Sequence, residues 1–247
     1  MNKIKALMGD IIYTPTKDEF KYIQNGYIVY DSEKIIGVFD NLPKQYENAE
    51  VSFYKNKIIM PGLVDLHVHA PQFVYRGLGV DLELLQWLEK YAFPTECKFK
   101  DPEYAKMIYS KVAKDIAKEG TTRAVVFATI HNKATEILME EFNKCGITSY
   151  VGKVNMDRNS PDLLREETKQ SIEDTIKFIE DTKDRYKYVK PVITPRFTPS
   201  CTPELMEALG KIARKYNVPV QSHLSENTGE IAWVKELEPD TKYYLEA

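Results

Sequence analysis

The tightest constraint on this chain lies in residues 58–72, which read IIMPGLVDLHVHAPQ. A short apolar run turns at Pro61-Gly62 and re-enters an apolar strand that carries two histidines one residue apart, His67 and His69. Side chains on a strand alternate faces, so the two imidazoles point one way and Val68 the other. Two nitrogen donors on one face at the end of a strand suit a divalent metal such as zinc. The bland alternative is two unrelated histidines beside a turn. The chain has 4 histidines in 247 residues, and half of them falling in one strand-spaced pair favours the metal.

Residues 1–60 read as a small N-terminal β-module, too thin to hold a core alone. Strands are expected at 5–12, 27–30, 35–39 and 57–60, with polar turns at 15–19 and 31–34. From residue 61 the pattern becomes strand, loop, helix, repeated. Asp81 is read as the cap of a helix through Trp87 and Leu88. Asp101-Pro102 supplies a cap and a first-turn proline for a helix with Tyr104, Ile108, Val112 and Ile116 on one face, stopped by Gly120. Strands follow at 121–130, 147–155, 189–197 and 218–224. The intervening helices carry Ala134 to Phe142, then a run opened by Ser160-Pro161 with Leu164, Ile172, Ile176 and Ile179 on one face, then one opened by Thr202-Pro203. A last helix holds Ile231, Val234 and Leu237.

Alternating strands and helices predict an α/β fold built from parallel βαβ units. An open doubly wound sheet and a closed (β/α)8 TIM-type barrel compete. No glycine-rich phosphate fingerprint follows the first strand, and polar residues sit at the ends of several separate strands, which favours the barrel. A closed barrel takes roughly 250 residues by itself, so the expectation is the first five βα units of one. The domains are then 1–60 and 61–247.

The net charge of −3 gives no basic footprint for nucleic acid. No apolar run approaches the roughly 18 residues a membrane span needs. The opening MNKIKALMGDIIY lacks a leader's apolar core, and Cys97, Cys145 and Cys201 read as reduced thiols, so a cytoplasmic protein is expected.

His223 closes the fifth predicted strand and brings a third imidazole to the same barrel mouth. Three protein ligands with one open position mark a catalytic zinc, which activates water near neutral pH; a hydrogen-bonded core histidine is the alternative. Glu226, three residues on, can move a proton there, against a role in the first turn of a helix. Gln72 offers a donor and an acceptor to a heterocycle's edge. Arg196 offers a cationic fork, with the face of Phe197 beside it. For Gln72 and Arg196 the alternative is a surface loop role. His131 reads as a loop residue near the mouth and is given no metal.

These residues carry a family resemblance. PGLVDLHVH followed by AxQ is similar to the first-strand signature of the amidohydrolase superfamily. Residues 81–96, reading DLELLQWLEKYAFPTE, together with FATIH, TPRF and QSHLSEN, resemble the guanine deaminase family within it. The resemblance covers essentially the whole chain. It implies hydrolytic deamination of guanine to xanthine and ammonia in a distorted (β/α)8 barrel with one Zn2+ per chain, Fe2+ being the alternative ion. It implies His67, His69 and His223 as metal ligands, Glu226 as the proton shuttle, and Gln72, Arg196 and Phe197 as holding the base. It further implies a homodimer and a small β-sandwich, part of which the N-terminal module supplies. The family's sixth-strand histidine and eighth-strand aspartate have no counterpart in these 247 residues, so the chain alone is expected to bind zinc more weakly and turn over little. An aminohydrolase acting on cytosine or an adenosine-like compound, or a non-catalytic metal- or purine-binding chain, is the competing reading.

Overall fold

The computed structural model describes residues 3–32 and 34–247, which divide into two compact units, one ending at Gly62 and one spanning Leu63–Ala247. In the first, β1 (Lys5–Thr16), β2 (Glu19–Tyr30), β3 (Ile35–Phe39) and β4 (Glu50–Ile59) form one sheet in the order β3-β2-β1-β4. β1 runs antiparallel to β2 and parallel to β4. Ala6, Ile11, Ile28 and Val29 are its buried side chains. The strands are longer than their apolar runs suggest: β1 continues through Pro15, and β4 begins at Glu50 although Phe53 and Tyr54 are exposed. Of the 31–34 turn, Glu33 lies outside the described residues, as do Met1 and Asn2; the Lys34 N–H donates to Asp31 Oδ1 at 2.9 Å.

The second unit is α/β. Its larger sheet is parallel, ordered β5-β6-β7-β9, from β5 (Leu63–His69), β6 (Thr121–Phe127), β7 (Thr148–Gly152) and β9 (Val189–Pro191). β8 (Val154–Asn155) and β10 (Thr194–Pro195) form a second parallel pair. The helices are α1 (Leu84–Trp87), α2 (Phe93–Glu96), α3 (Pro102–Lys118), α4 (Asn132–Lys144), α5 (Thr168–Thr182), α6 (Pro203–Tyr216) and α7 (Thr228–Leu237). α3 starts where its sequence dictates: Asp101 accepts from the Glu103 N–H at 2.9 Å, Pro102 opens the first turn, and Gly120 at φ +88° ends the run. Its face of Ala105, Ile108, Tyr109, Val112 and Ala113 packs with Leu138, Phe142, Val126 and Val151 into the main core. Among the described residues no helix is long and apolar enough to cross a membrane.

Five expectations are corrected. The helix opened by Ser160-Pro161 begins instead at Thr168, because Leu164 N–H turns back to Pro161 O and Glu166 is drawn away to accept from Ser171 Oγ, Met156 N–H and Lys153. The run 147–155 breaks at the buried Lys153 into β7 and β8, and the run 189–197 breaks into β9 and β10, where Pro191 and Pro195 cannot donate to a ladder. At this break Gly152 is needed for close approach: a Cβ there would lie 2.8 Å from Val192 O. Asp81 is not a cap, since α1 starts after Glu83, with no side-chain cap. Finally, 218–224 is no regular strand. It lies extended along residues 193–196 by a single bridge, Ile193 to Val220, and by Ile193 N–H to Pro219 O, Gln221 N–H to Ile193 O and His223 N–H to Arg196 O at 3.0, 2.9 and 3.1 Å.

Candidate metal centre

β5 delivers the first two donors. Its pairing with β6 shifts register between Asp65 and Val68, and Asp65 Oδ1 accepts the His67 N–H at 3.1 Å. Val68 packs against the main core, and the rings of His67 and His69 meet on the other face with centroids 5.2 Å apart. The extended segment after α6 brings His223 to within 4.9 Å of both rings. One nitrogen from each of His67, His69 and His223 lies within 4.8 Å of the others, and among the described residues no other His, Cys, Asp or Glu group is so placed.

Phe127, at the end of β6, is the floor of this cluster. It stacks on His69 at 4.4 Å and 17°, and touches the rings of His223 and His67 at 4.5 and 5.1 Å. Sequence reasoning placed it inside an apolar strand and gave it no role; its position at a strand end, level with His69 in the ladder, was the available signal.

The donor chemistry fits a soft-to-borderline divalent cation. His223 Nδ1–H donates to Arg196 O at 2.7 Å, which fixes the tautomer and leaves Nε2 with its lone pair. That Nε2 lies 2.9 Å from Nε2 of His69. Burial, with the positive charges of Arg196 and the other imidazoles, holds His69 well below the usual histidine range. Burial, outweighing the Arg196 carbonyl bond, brings His223 down to about 4. Both rings are therefore neutral at physiological pH, the form that binds a metal.

The other residues singled out from the sequence also converge. Gln72, on the 3-10 turn Ala70–Tyr75 that follows β5, shares a cleft with His69, Arg196, Phe197, His223 and Glu226. Arg196 and Phe197 are buried. Glu226 follows Ser225, whose φ of +56° turns the chain into α7, and its backbone N–H donates to Glu230 Oε2 at 2.8 Å. Burial first, then the charge of Glu230, raises the Glu226 carboxyl above its ordinary value. His131 stands apart from the cluster. Its carbonyl accepts from Thr135, its ring Nε2 is buried without a partner, and burial with Lys100 and Lys153 takes its pKa down to about 4.

A pH dependence follows. His69, His131 and His223 bind protons more weakly folded than unfolded, so between pH 6.5 and 5 the unfolded chain takes up more protons and folding weakens as pH falls. Glu226 has the opposite sign, one carboxyl against three imidazoles. The denaturation free energy of the metal-free chain should drop on the order of 2 kcal/mol across this window, above the range where ordinary carboxylates titrate, after allowance for solvent screening. A midpoint unchanged between pH 7 and 5 would contradict the neutral buried imidazoles.

Residues 58–247 match the model of the amidohydrolase family. The chain is 40% identical to a guanine deaminase of Dictyostelium discoideum over 98% of its own length, and 35% identical to one of Escherichia coli over 98%. It spans 58% of the length of each of those relatives. A crystal structure of guanine deaminase from C. acetobutylicum, with bound guanine in the active site, superposes with a TM-score of 0.95 at 48% identity, covering 99% of this chain and 58% of that one.

Proposed function

This chain belongs to the amidohydrolase family, and from that premise we propose that the protein hydrolyses guanine to xanthine and ammonia. One observation carries the reading: three imidazole nitrogens lie within 4.8 Å of one another, and two of those rings, His69 and His223, share a cleft with Gln72, Arg196 and Glu226. His67, His69 and His223 would hold one Zn2+, with Fe2+ as the alternative. When bound there, such an ion supplies Lewis-acid activation of water.

The chain's own residues supply the rest. Gln72 pairs its amide with the edge of the base, Arg196 donates to the carbonyl oxygen, and Phe197 gives an apolar face. Glu226 gives a proton to a purine ring nitrogen as water adds to the amino-bearing carbon, and passes the water's proton to the departing amine. Water in and ammonia out leave xanthine, so the step balances. A carboxyl whose proton affinity is raised by burial suits both halves of that transfer.

The parallel order β5-β6-β7-β9, with a helix after each of these strands, supports a (β/α)8 barrel as the finer architecture, begun near residue 61, with the N-terminal sheet as part of a β-sandwich. We further propose a cytoplasmic homodimer.

A panel of guanine, cytosine and an adenosine-like nucleoside, followed by ammonia release, tests the substrate. An adenosine-like substrate has its own support, since a 5-methylthioadenosine/S-adenosylhomocysteine deaminase is 31% identical over 94% of this chain. Guanine is expected to be turned over at least about 10²-fold faster than the adenosine-like nucleoside, because a site that pairs a carbonyl rejects a base lacking it. Preference for either other base would overturn the assignment.

A further inference from the structure

Residues 84–100 form a nearly continuous helical run with one irregular turn. Pro94 has no N–H to give to the carbonyl four residues back, and its ring crowds that carbonyl. The chain widens into a π turn at Leu88–Ala92, and the Phe93 N–H reaches back to Leu88 O. One extra residue rotates everything beyond by about 100°. The next turn, α2, thereby buries Phe93, Thr95 and Glu96, the last with no solvent exposure at all.

A carboxylate in that position must have a partner, and Glu96 Oε2 meets Arg196 Nη1 at 2.7 Å, with 0% and 3% of the two side chains exposed. The contact is single-point: Oε1 accepts from no other described residue, and one end of the guanidinium is taken. Phe93, from the same turn, lies under the guanidinium at 5.3 Å, and Met156 Sδ lies 3.9 Å from Nη1. Arg196 is thus held from behind by α2, while its backbone carbonyl orients His223 and its side chain lines the cleft with Gln72 and Phe197.

We propose that Glu96 is a positioning residue for substrate selection. It anchors one nitrogen of Arg196 so that the remaining N–H donors face the carbonyl oxygen of a 6-oxopurine, and it balances the buried positive charge so that the cleft accepts a neutral base. This rests on Arg196 holding the base, as proposed above. Glu96 itself touches neither the base nor the imidazole cluster; it acts through Arg196.

The test is Glu96→Gln in the natively expressed protein, read as a KM-against-kcat split. Gln keeps the shape and loses the charge-assisted bond. KM for guanine should rise about tenfold or more, with kcat changed by less than about threefold and metal content unchanged. The inhibition constant of 2-aminopurine, which keeps the ring nitrogens and lacks the carbonyl, should stay put. Adding Glu96→Gln to Arg196→Gln should cost nothing further, because the two act as one unit. If Glu96→Gln does not fold, Glu96→Asp keeps the charge at a shorter reach and is read by the same comparison. An unchanged KM, an equal penalty on both purines, or additive effects would each overturn the proposal. The wild type separates the two claims: without ammonia from guanine the functional reading fails, whereas the variant-to-wild-type ratio reports on Glu96 alone.

Discussion

His69→Ala is expected to take bound metal from about one ion per chain to none detectable, and to lower guanine turnover by at least about 10³-fold. His69 lies against both other rings of the cluster. Its Nε2 is 2.9 Å from His223 Nε2, its ring is 5.2 Å from that of His67, and Phe127 stacks beneath it. Removing it leaves His67 and His223 as two donors without the third that a catalytic site of this kind requires. The ring also seals Phe127 from the cleft, so a parallel unfolding curve is needed to separate a lost ligand from a lost fold. Metal analysis of the purified variant beside ammonia release decides. A variant that keeps its metal and its rate would remove His69 from the ligand set.

Glu226→Gln should behave differently, keeping the metal and losing between about 10² and 10⁴ in kcat. The backbone at Glu226 is anchored independently of its carboxyl: Glu230 Oε2 accepts from the N–H groups of Glu226 and Asn227 at 2.8 and 3.2 Å. The amide therefore occupies the same place and can donate and accept, but it cannot take and return a proton. The raised proton affinity of the carboxyl, from burial and from Glu230, is what the substitution discards. Full metal content with a collapsed rate separates proton transfer from ligation. An unchanged rate would leave Glu226 as a residue of the α7 approach and nothing more.

The pairing of His67 with His69 was readable because a strand's period is two, and that period survived a register shift in β5. The start of α3 was readable because Asp101 and Pro102 act within one turn. Features set by distant partners were not. The break at Lys153 depends on Glu166 reaching back from beyond β8, and the same reach keeps residues 160–167 out of α5. The segment carrying His223 looks apolar enough for a strand, yet it makes only a single bridge, at Val220. Phe127 was hidden among strand residues until three imidazoles were placed against it. Glu96 was invisible for a different reason: in a regular helix it lies on another face, and only the π turn ahead of Pro94 brings it to Arg196.

The central claim is that three imidazoles surround one divalent ion. X-ray absorption at the zinc edge of the metal-loaded protein measures that directly. Three nitrogen scatterers with imidazole multiple scattering at about 2.0–2.1 Å are expected, with no bound zinc left to give a signal in His69→Ala. A shell of sulfur, or of oxygen alone, or one unchanged by His69→Ala, would contradict it.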